Sequence, residues 1–178
     1  MGLGPPDIGM KGARLINRIG YPYGWRIATV ALTRWFWRWQ VIGRVDLSDE
    51  KRLELLKRQV EKDKASANSK DLEVMQDEGI LQCMLRVAKE CFAQGFEGSL
   101  QDGRLACYDL GFRVEDIRPD LPVQLWYGKH DIHVPLNHGV QIAARLGGRA
   151  QLRIEDETHA SLTFNWKEKI IEELVRSI

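Results

Sequence analysis

Val123-Gln-Leu-Trp-Tyr-Gly-Lys-His-Asp131, continued by Ile132-His-Val-Pro135, is the stretch from which the fold can be read. Val123, Leu125 and Tyr127 alternate with Gln124 and Trp126 behind Pro122, the pattern of a short buried strand. Gly128 ends that strand and leaves Asp131 in the loop beyond it. Pro135 opens a helix that the pair Gly147-Gly148 is suited to stop. A second strand, Ala150 to Ile154, leads into Glu155-Asp-Glu-Thr-His159-Ala-Ser-Leu162 and a final helix. The order strand, Asp loop, helix, strand, His loop, helix predicts two parallel strands. Their following loops then bring an acid and a histidine to one edge of the sheet, where open α/β sheets place their sites.

These residues resemble the last part of an α/β-hydrolase of the single-domain esterase and lipase type. In that family a Leu-Trp-Tyr-Gly-x-x-Asp-x-x-Val-Pro segment carries the catalytic acid, and a His-x-Ser-Leu loop carries the catalytic histidine. Gly4-Pro5-Pro6-Asp7 is similar to the exit from the family's sixth strand into its helical cap. The resemblance implies an α/β fold in the form of an incomplete α/β-hydrolase. Residues 1–10 would be the end of a core strand and a turn, 11–110 a helical cap, and 111–178 the last strands and helices of the parallel sheet. It implies Asp131 and His159 as catalytic residues, and a small-molecule ester or other acyl compound as substrate. The cap would set the choice of substrate. Asp7 is a less fitting alternative for the acid.

The chemistry of that family needs a serine whose proton the histidine takes, in the chain order Ser, acid, His. The serines here are Ser48, Ser66, Ser69, Ser99, Ser161 and Ser177, and none stands in Gly-x-Ser-x-Gly. No cysteine has elbow flanks, and no His-Gly oxyanion segment is present. Both missing parts are expected upstream of Met1 in a full-length relative, so the chain alone is expected to be inactive. An open sheet edge would then favour self-association.

Residues Lys11 to Arg44 read as helical, with Trp25, Ala28, Leu32, Trp35 and Trp39 forming one apolar stripe. The expectation is that this stripe packs inward as cap, with Trp25, Trp35 and Trp39 as an apolar pocket wall. Up to Val45 the chain holds seven Lys or Arg and, as its only acid, Asp7. A peripheral membrane module is therefore an alternative reading, as is a non-catalytic binding remnant. Asp46-Leu-Ser-Asp-Glu50 is a helix start with Leu53, Leu56 and Val60 on one face. Residues 62–71 read as a charged loop. A longer helix follows over 72–92, with Ile80, Met84, Val87 and Cys91 inward, and then a Gly-rich connection over 94–103.

Composition sets outer bounds. The 178 residues carry a formal charge of +1, which gives no global signal for nucleic acid, and no nucleic-acid or dinucleotide motif occurs. Cys83, Cys91 and Cys107 lack metal-ligand spacing, and His130, His133 and His138 are too loosely arranged to predict a metal. No cofactor is expected. With no secretory leader pattern and no run of about 20 apolar residues, the expected compartment is the cytoplasm.

Overall fold

The computed structural model describes Ile8 and residues 11–13, 15–109 and 111–176. The reading of Gly4–Asp7 as a strand exit, and Asp7 itself, lie outside the described residues. Along the chain run α1 (Leu15–Ile19), a π turn (Gly20–Gly24), α2 (Trp25–Ile27), α3 (Val30–Trp39), α4 (Asp49–Asp63), α5 (Ser69–Gln76), α6 (Glu78–Cys91) and α7 (Glu97–Leu105). Then follow β1 (Val123–Gly128), α8 (Leu136–Arg145), β2 (Ala150–Glu155) and α9 (His159–Arg176). The protein is mixed α/β, mostly helical, with one two-stranded parallel sheet among the described residues. It divides into two compact units: Trp25–Arg104, and the chain before Trp25 together with that from Leu105 onward. Residues 11–24 thus cluster with the sheet and not with the helices that follow them.

In the sheet unit β1 pairs with β2 in parallel from Val123↔Ala150 to Gly128↔Glu155. The crossover helix α8 packs on both strands. Tyr127 is fully buried at the end of β1, and Gly139 is what lets α8 lie on it. A Cβ at Gly139 would sit 2.6 Å from the Tyr127 Cε2. Gly147 and Gly148 adopt φ of 60° and 82°, the left-handed region that ends a helix on glycine at little cost. On α9, Trp166 packs against Trp126 of β1 with ring centroids 5.8 Å apart, and Arg153 lies over the Trp126 ring.

The helical unit departs from its sequence reading in several places, three of them along α5 to α7. Residues 72–92 are two helices, because Asp77 accepts the Ile80 N–H at 3.1 Å and starts α6 afresh. The buried side of α6 is Leu81, Leu85 and Ala88, one residue round from the expected stripe, and Val87 is exposed. Both stripes have helical spacing, and the one continuing into Phe92 and Phe96 is the one that joins a core. Finally, the expected Gly-rich connection is largely α7, with Gly98 and Gly103 inside it. Trp25 lies on Gly103, where any side chain would collide with its indole.

Two apolar clusters hold this unit, Leu56 with Leu81 and Leu85, and Ala88 with Phe92 and Phe96. Between them Arg52 is fully buried. Its guanidinium donates to Ile42 O at 2.8 Å and Leu85 O at 3.2 Å, and meets Asp49 Oδ1 at 3.5 Å. One side chain therefore ties α4 to α6 and to the turn after α3. Arg52→Met keeps the aliphatic stem but removes the donor that the Ile42 and Leu85 carbonyls share, and should lower stability by about 1–3 kcal/mol in urea unfolding.

Candidate active site

The loops that leave β1 and β2 are joined before any side chain is considered. Lys129 N–H donates to Glu155 O at 2.8 Å and His130 N–H to Glu157 O at 2.9 Å. This lateral approach requires glycine at position 128. A Cβ there would stand 2.9 Å from Thr158 O and closer still to Glu157 O. Read in the sequence only as a strand end, Gly128 is what admits the second loop against the first.

Asp131 then organises the first loop with one oxygen and reaches the second loop with the other. Its Oδ1 accepts the N–H groups of His133 and Val134, both at 2.8 Å, the short-range bonding that favours Asp in turns. Its Oδ2 lies 2.9 Å from His159 Nδ1. The Asp131 side chain is fully buried, whereas that of His159 is 42 % exposed. Burial pushes the Asp131 carboxyl up. The hydrogen bond from His159 and the Val134 and His133 N–H donors outweigh it and hold the group below the ordinary aspartate range.

His159 is the first residue of α9 and not a loop residue. Its helix start is fixed by a reciprocal pair. Ser161 Oγ accepts the Thr158 N–H at 2.8 Å, and Thr158 Oγ1 accepts the Ser161 N–H at 3.3 Å. Ser161 is thus the inner partner of a cap centred on Thr158, and it is fully buried. A carboxylate only accepts hydrogen bonds, so Nδ1 carries the ring hydrogen and the neutral imidazole keeps its lone pair on Nε2. That is the tautomer of a general base.

The other candidates separate. His133, weighed in the sequence only as a metal ligand, sets its ring edge-on to His159 at 5.4 Å. His130 bonds Asp156 at 2.7 Å, and His138 is buried in α8. Among the described residues no three His, Cys, Asp or Glu converge as a metal site. Ser99 accepts the Trp37 indole N–H at 2.8 Å. Trp25, Trp35 and Trp39 belong to the helical unit, where Trp25 rests on Gly103 and Trp35 and Trp39 pack on each other. No family model, no curated protein and no solved structure matches the chain.

Two outcomes follow from this geometry. Gly128→Ala should lower stability by about 1–3 kcal/mol, and the His159 ring should lose its bond to Asp131, read by imidazole NMR. The second outcome concerns pH. A carboxylate held below its unfolded value, about 3.9, contributes stability that is complete above that value and is lost as pH falls through the folded one. The difference in unfolding free energy between the native chain and Asp131→Asn should therefore shrink as pH falls below about 4.

Proposed function

We propose that Asp131 and His159 are the acid and the general base of a hydrolase of the α/β-hydrolase type, acting on an ester or other acyl substrate. The observation that carries this reading is the 2.9 Å bond from a fully buried carboxylate to Nδ1 of a part-exposed histidine, at the carboxyl ends of adjacent parallel strands. In this reading the sheet is one end of a larger one, since parallel pairs covered by helices normally sit within bigger sheets.

The chemistry assigned to the pair is proton transfer. Nε2 takes the proton of an attacking hydroxyl or water, Asp131 stabilises the imidazolium so formed, and the proton then passes to the leaving group. The carboxylate stays ionised throughout, in keeping with its lowered pKa. A serine in Gly-x-Ser-x-Gly is not part of this sequence. Of the present serines, Ser161 is buried in the cap of α9 and Ser99 is bonded to Trp37. The nucleophile and oxyanion donors of the reaction would therefore come from polypeptide beyond these 178 residues.

The test compares the 178-residue chain with the same chain extended by the reading frame upstream of Met1, both assayed with short nitrophenyl esters. The short chain should show no burst and no fluorophosphonate label. The extended chain should turn over, and His159→Ala should reduce its kcat/KM by about 10²-fold or more. Equal turnover of the extended chain with and without His159 would overturn the assignment, and labelling of Ser99 or Ser161 would relocate the nucleophile.

A further inference from the structure

Helix α3 has two apolar sides. Trp37 points inward, its ring 5.2 Å from that of Phe92 and its indole N–H on Ser99, and Thr33 is buried beside it. The opposite side carries Leu32, Trp35, Phe36 and Trp39, spaced as one helical face, and all four are exposed. Trp39 is 73 % exposed and Trp35 57 %. The expectation that the whole stripe packs inward therefore fails after Ala28, which is buried. Four neighbouring large apolar side chains on one exposed helix face mark an interaction surface, not ordinary scattered exposure.

Charge identifies the kind of partner. From Ile8 to Val45 the chain contains no acid, and on α3 the exposed Arg38 stands beside Trp35 at the edge of this face with the exposed Arg34 one step further round. Asp46, the first acid after the run, is bound by Arg44 at 3.0 and 3.1 Å and also lies within electrostatic reach of Arg38. An apolar protein groove would complement the aromatic side chains but not the mainly cationic surround. A lipid surface with anionic headgroups complements both, because indoles settle at the headgroup boundary and arginine stems reach outward to phosphate. Ten residues of helix span about 15 Å, half of a hydrocarbon core, so the geometry is that of a helix lying on the membrane. No described helix is long and apolar enough to cross one.

We propose that the outer face of α3, Leu32, Trp35, Phe36 and Trp39 with Arg38 and then Arg34 along one side, seats on an anionic membrane surface. The proposal is independent of the chemistry assigned to Asp131 and His159.

The experiment is co-sedimentation of the full chain with vesicles of phosphatidylcholine alone or mixed with phosphatidylserine, with quenching of tryptophan emission by brominated lipid. Binding should favour the anionic vesicles and weaken as salt is raised. Joint Trp35→Ser and Trp39→Ser substitution should reduce it by about tenfold or more and abolish the quenching. Arg34→Gln with Arg38→Gln should remove the preference for phosphatidylserine and leave the apolar contribution. Because all four positions are exposed, these variants should melt with the native chain, and a shared melting temperature is the folding control. Should the tryptophan variant melt early, the arginine pair still decides the matter through the lipid preference. No binding to either vesicle overturns the proposal. So does a native chain that dimerises in sedimentation velocity and becomes monomeric in the tryptophan variant without lipid binding, which assigns the face to a second copy. Salt-sensitive binding to a single-stranded oligonucleotide with none to vesicles overturns it as well.

Discussion

The sheet unit depends on one close approach, the passage of the Glu157–Thr158 backbone over Gly128. Two amide-to-carbonyl bonds, from Lys129 to Glu155 and from His130 to Glu157, extend the pairing of β1 and β2 beyond the strands into their loops. Two loops that leave a parallel pair would otherwise be free to diverge. Here they are held as though the ladder continued, and the side chains that follow them inherit that closeness. Asp131 stands three residues after Gly128, and His159 one residue after Thr158. Neither has room to be far from the other.

The helices answer a different constraint. With no sheet to pack upon within their own unit, they must satisfy one another, and the buried guanidinium of Arg52 does this by bonding the Ile42 carbonyl of the turn after α3 and the Leu85 carbonyl of α6. Such a knot binds the turn after α3 to the body of the unit.

How much of this was legible in the sequence depended on how many residues a feature needs. The strand, loop and helix order after Pro122 rests on alternation and on punctuation by Gly and Pro, both local, and β1, α8, β2 and α9 lie where that order puts them. The pairing of Asp131 with His159 could be anticipated because parallel strands force their carboxyl ends together. The inward side of α6 could not, since two adjacent stripes have equal period and only the tertiary partner chooses between them. The same holds for α3, where apolar residues occupy both sides and the sequence does not say which tryptophan is held by Ser99. The role of Gly128 was hidden for another reason: a glycine that ends a strand and a glycine that admits a passing chain look alike in sequence.

The division of labour within the Asp131 carboxylate has a consequence for dynamics. Oδ1 holds the amides of His133 and Val134, while Oδ2 holds the imidazole. A carboxylate is rigid, so a swing of one oxygen is a swing of the other. Movement of the imidazole and opening of the loop are then a single coordinate with a shared free energy, and coupling of this kind runs equally in both directions. The amide hydrogens of His133 and Val134 become reporters of their neighbour: whatever draws His159 toward Asp131 slows their exchange with solvent, and whatever pulls it away hastens it.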